Sequence, residues 1–151
     1  MNSTTTTTTT TIINDLIEIC KDGQDGFHEA SEKIKHPELK TLFSSYSMQR
    51  SGFAGDLQQL VIGLDGEPEK TSTVASAVHR GWIDLKAAFT KDSDHAILAE
   101  CERGEDHAVS AFRNALGEDL PADIRIIVSN QSAAVQAAYD DIRNRRDASA
   151  A

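Results

Sequence analysis

Residues 97–112 read ILAECERGEDHAVSAF. Glu100, Cys101, Glu102, Glu105, Asp106 and His107 are all of kinds that ligate metals or transfer protons. Rotation at 3.6 residues per turn sorts them. Ile97, Leu98, Cys101, Ala108 and Phe112 share one stripe, and Glu105 lies inside it. Glu100, Asp106 and His107 turn away from the stripe as a solvated acidic face, and Glu102 lies on the flank. The stretch predicts a packed helix with one inward carboxylate.

The same rotation organises the chain on either side. A first helix over about 12–35 carries Ile13, Leu16, Ile17, Cys20, Phe27 and Ile34 on one face, with Thr11 or Asn14 as its cap. His36-Pro37 ends it, and Pro37 suits the opening turn of a second helix over about 38–64. Asp65-Gly66-Glu67-Pro68 is a break. A shorter helix over about 72–90 aligns Val74, Val78, Trp82, Leu85 and Phe89. Ser93 or Asp92 caps a helix over about 93–117, and Leu120-Pro121 opens a last one over about 121–147. Tight turns near 36 and 119 make two antiparallel hairpins, and the segment between them is long enough to run the length of a bundle. The expectation is an all-α, ferritin-like four-helix bundle at 12–147, with a long crossover carrying a short extra helix. The threonine-rich 1–11 reads by composition as a disordered tail and 148–151 as a frayed end.

The hairpins resemble one another at an offset of 81 residues, Leu16 matching Ile97, Cys20 Cys101, Gly23 Gly104 and Asp25 Asp106. This internal repeat brings four polar residues to one level near the helix midpoints: Gln24, Arg50, Glu105 and Gln131. A lone buried charge is very unfavourable, so an inward Arg50 and an inward Glu105 are expected to pair, with the two glutamines satisfying what remains. Gly23 and Gly104 border this layer in equivalent places, where they allow close helix approach or leave room for Arg50.

Di-iron proteins of this architecture place a Glu on each of two helices and a Glu-x-x-His on each of the other two at that level. SMQRSGF around Arg50 and NQSAAV around Gln131 contain neither Glu nor His. No metal, cofactor or catalytic residue is therefore expected. Cys20 and Cys101, one turn from the layer, are read as buried packing residues in preference to a redox pair.

A net charge of −9 over 151 residues repels nucleic acid and anionic membranes, so neither is an expected partner. No run of about 18 apolar residues suggests a membrane span, and the N-terminus lacks the features of a secretory signal. Two cysteines make no disulfide framework in a chain of this size, and a reduced cytoplasmic setting is expected. His79, Arg80 and Trp82 on the crossover form a candidate partner surface, through which a homodimer could assemble, although Trp82 is read as packing in preference to a partner anchor.

CERGED (101–106), HRGW (79–82) leading LKAAF (85–89), and QR-x-x-F (49–53) together resemble a family of bacterial ferritin-like four-helix-bundle proteins, the DUF2383 family. The resemblance covers most of 12–147 and leaves out the threonine-rich start. It implies a ferritin-like bundle in a bacterial cytosolic protein, with no established activity. The expected function is a non-catalytic structural, binding or stress-associated bundle, its di-iron layer replaced by a buried Arg–Glu–Gln network. The alternative is a di-iron-type redox or storage protein with an unusual ligand set.

Overall fold

Local chemistry sets the helix ends. Pro37, whose ring fixes φ and whose missing N–H is not needed in a first turn, opens a helix at Pro37–Gly63, and His36 Nδ1 accepts from the Glu38 amide (3.2 Å). Ser93 Oγ accepts from the Ala96 amide (3.3 Å) at the start of Asp94–Leu116. Arg125 donates to the carbonyls of Leu116 (2.8 Å) and Glu118 (2.6 Å), satisfying acceptors left over at that helix's end.

The computed structural model describes residues 3–69, 82 and 84–149. Among them the chain forms five helices and no strand: α1 Ser3–Lys33, α2 Pro37–Gly63, α3 Leu85–Thr90, α4 Asp94–Leu116 and α5 Ala122–Ala148. The molecule is an all-α bundle. α1 packs along α2 and α4 along α5, and α1 also contacts α4. The backbone amides of Lys35 and His36 donate to the Asp94 carboxylate (2.9 and 3.0 Å), so the end of α1 meets the start of α4.

Three contacts place the crossover along α1. Asn14 donates to the Glu67 carbonyl (3.0 Å) and accepts from the Glu69 amide (2.7 Å). Trp82 lies against Gly26. Asp92, held at φ 50°, pairs with Lys35 (2.5 Å). The connection thus leaves near the start of α1 and arrives near its end. Asn14 clamps it from inside α1 and caps no helix.

The core falls into two apolar clusters. One holds Ile13, Leu16, Ile17, Cys20, Leu57, Val61, Phe112, Ile124, Val128 and Val135. The other holds Phe27, Ile34, Leu39, Phe43, Trp82, Leu85, Leu98, Cys101 and Ile142. On α1 the division falls between Cys20 and Phe27, and on α4 between Cys101 and Ala108.

Two expectations need correction. The threonine run is helical and not a disordered tail, because α1 begins at Ser3. Thr9 is buried, one turn before buried Ile13 on the same face, and the side chain of Thr10 packs on Gly66. Thr11 Oγ1 donates to the Thr7 carbonyl one turn back (3.1 Å). Tertiary cover thus outweighs a composition that alone would leave the segment open. The other correction concerns the C-terminus, where α5 continues through Ala148 and only Ser149 lies beyond it among the described residues. On the crossover, helix is described only at Leu85–Thr90. Residues 72–81, with His79 and Arg80, lie outside the described residues.

Candidate functional site

α2 turns Phe43, Ser47, Arg50, Ala54 and Leu57 toward the interior, and α4 turns Cys101, Glu105, Ala108 and Phe112 to meet them. Arg50 and Glu105 therefore face one another where the two clusters divide. They form a two-pronged ion pair, Nη1 with Oε1 and Nη2 with Oε2, the latter at 2.5 Å. Their side chains are 1% and 0% exposed, so the charges meet without water between them. Arg50 Nε donates to Gln49 Oε1 (3.2 Å), and the guanidinium carbon lies 5.4 Å from the centre of the Phe27 ring. Burial works to lower the pKa of Arg50, but the charge and hydrogen bonds of Glu105 outweigh it and the net direction is upward. A buried guanidinium so paired stays charged.

The layer around the pair differs from the sequence expectation. Gln131 is buried, with Nε2 donating to the Phe53 carbonyl (3.3 Å) and Oε1 lacking a hydrogen-bond partner among the described residues. Gln24 is only half-buried, and it is its backbone carbonyl that takes a bond, from Ser47 Oγ (2.8 Å). The inward stripe of α1 passes through Gly23, which lies beside the stem of Arg50. The bonded pair is thus Arg50 with Glu105, while Gln131 bonds instead to the α2 backbone. Gln24 does not join it.

Trp82, which the sequence offers as a packing residue before a partner contact, is 2% exposed and not part of an outer surface. Its indole lies on the bare backbones of Gly26 and Gly104, and a Cβ added at Gly26 would come within 2.5 Å of the ring. The edge-on contact with Phe27 has centroids 5.0 Å apart and planes at 75°. The signal lay in the sequence as two mid-helix glycines and a single tryptophan, but nothing in the spacing joins them across three elements.

The remaining candidates separate. Asp106 and His107 are exposed, whereas Glu100, expected on the solvated face, is buried beside Arg103 (3.2 Å). Arg103 also holds Asp84, which places the crossover over that side of α4. Glu102 pairs with Arg146 of α5. Both cysteines are buried, free thiols. Burial pushes Cys20 from 9.0 to about 12, with Arg50 pulling the other way. Burial, then Glu105 and Glu100, push Cys101 well above the ordinary thiol value. Thiols held in the neutral form are poor nucleophiles.

Di-iron chemistry does not fit these residues. Where carboxylates would bridge two cations, a guanidinium already satisfies the Glu105 carboxylate, and a cation there would be repelled by it. Among the described residues no group of three or more His, Cys, Asp or Glu is placed to hold a metal. An open cleft of about 620 Å³ lies between α3 and α4 and is lined by Asp84, Lys91, His95, Glu100 and Arg103.

A family model described as "Domain of unknown function (DUF2383)" matches residues 8–118, from within the threonine run to the end of the α4 turn. A comparison with curated proteins finds no match.

Proposed function

The chain belongs to the DUF2383 family, and from that premise and the chemistry of its midplane we propose a non-catalytic bundle of ferritin-like descent. Its role is structural, binding or stress-associated, in a bacterial cytoplasm. The Arg50–Glu105 pair carries the reading. On this reading the pair stands in for a di-iron ligand set, and its guanidinium neutralises the Glu105 carboxylate. Buried thiols kept protonated support the same reading, since they leave the interior without an activated nucleophile. The acidic surface favours partners other than nucleic acid.

Metal analysis of purified protein after Fe(II) and oxygen are added tests the proposal. The expected result is iron well below one per chain, unchanged in Glu105→Gln. Stoichiometric iron that disappears in Glu105→Gln would establish the redox or storage alternative instead.

A further inference from the structure

We propose that the outer face of α2 is self-complementary and pairs two copies of this chain as an antiparallel dimer, with its two-fold axis beside Gly55. Three large apolar side chains stand exposed among the described residues, and two of them, Met48 (73%) and Ile62 (51%), lie on α2. Arg50, Ala54, Leu57 and Val61 of that helix face the core. At 3.6 residues per turn Met48, Gly52, Gly55, Gln59 and Ile62 fall together on the side away from it. A Cβ at Gly52 or Gly55 would meet nothing within 4 Å. The fold of a single chain therefore does not require glycine at either place, and glycine is unfavourable in a helix interior. On an outer face such residues let a second backbone approach closely.

The order of these residues selects a second copy as the occupant. A two-fold axis across a helix reverses the sequence of the partner helix. Met48 and Ile62 each stand seven positions from Gly55. An antiparallel partner centred there sets Met48 of one copy on Ile62 of the other at both ends, and brings the glycines together between them. Charge selects the same occupant. The chain carries a net charge of −9, so two copies repel one another wherever acidic surfaces meet. From Thr41 to Gly63 the only charged residues are Arg50, which is buried, and Asp56. Asp56 follows Gly55 by one position and so points more than a quarter turn off the face. A face without charge has no hold on a strongly basic or acidic partner, and it is where two acidic copies can meet.

Sedimentation equilibrium on the full-length protein tests the pairing. The wild type should pass from monomer to dimer over roughly 1–100 μM, as suits a seam of one helix on one helix. Gly55→Lys enters open space in the single chain, so it should abolish the dimer with helical circular dichroism unchanged. Ile126→Lys, at the third exposed apolar side chain, lies on α5 and should leave the dimer intact. Cross-linking with a short bis-maleimide reads the register, because Cys20 and Cys101 are buried. Gly55→Cys chains should link to one another. Met48→Cys chains should not, since their two sulfurs would lie about 21 Å apart along the seam, but they should link to Ile62→Cys chains when the two are mixed. A wild type that stays monomeric through that range would overturn the proposal and leave the face to a different partner. A dimer that survives Gly55→Lys, or Met48→Cys chains that link to one another as readily as Gly55→Cys chains, would overturn it equally.

Discussion

Gly23 and Gly104 occupy equivalent places in the two hairpins, yet Gly104 lies under the Trp82 ring and Gly23 does not. A Cβ on Gly23 would lie 3.5 Å from Arg50 Cγ and Nη1, an ordinary contact. Gly23→Ala should therefore stabilise the protein by about 0.5–1 kcal/mol through helix propensity, read from chemical denaturation. A loss would mean that Arg50 needs the empty space. Among the described residues Gln131 Oε1 is buried without a partner, so Gln131→Leu should be neutral or stabilising by up to about 1 kcal/mol. Marked destabilisation would show that the amide is bonded after all. The thiols give a pH dependence. Cys20 titrates near 12 in the fold and near 9.0 when exposed, so the unfolded chain loses its proton first. Stability from this group is fully present below pH 9 and falls between pH 9 and 12, by on the order of a few kcal/mol. Cys20→Ala should flatten that decline, and an unchanged slope would remove the cysteine as its cause. At this scale the sequence reveals the inward Arg50 and Glu105, because a charge in the middle of an apolar stripe has to be neutralised. It misleads at Gln24, because two adjacent positions on a stripe, Gly23 and Gln24, cannot be separated until the spacing between α1 and α2 is known.

Elements that follow a clear period are legible, and those held by distant cover are not. Pro37, Ser93 and Pro121 mark helix starts by their own chemistry, and the expected long helices agree with α2, α4 and α5 to within one or two residues. The extension of α1 through the threonines has no such local signal. It depends on Gly66, more than fifty positions away, closing over Thr10. Two consequences follow for α1. Amide exchange at Thr9–Ile13 should be slowed well beyond that of a tail, and Thr9→Glu should lower stability by about 1–3 kcal/mol by burying an unpaired charge. Fast exchange throughout the run would return it to a disordered segment. Trp82 is the counterpart on the crossover. Its stripe reads as packing before it reads as a partner surface, and the juxtaposition of Gly26 and Gly104 shows what it packs against.

At the scale of the whole molecule, each hairpin closes on itself through a short turn, and its stability as one body depends on ties between the two. Asp94 secures the α1–α2 turn to the start of α4, and Tyr46 donates to Asp141 (2.9 Å) between α2 and α5. Arg145 extends that bridge to Glu38 (3.4 Å) at the surface. In the centre the tie is Arg50 of the first hairpin on Glu105 of the second. Such a pair is not by itself an exceptional source of stability, because removing its charges from water offsets much of their attraction. Breaking one half is the damaging event, since it leaves a bare charge in the core. The most direct measurement is a double-mutant cycle on this pair by denaturant unfolding. Arg50→Leu alone should cost about 3–5 kcal/mol, and adding Glu105→Leu should restore much of that loss. A double variant no more stable than Arg50→Leu would contradict the account, because the two side chains would then not hold the midplane closed together.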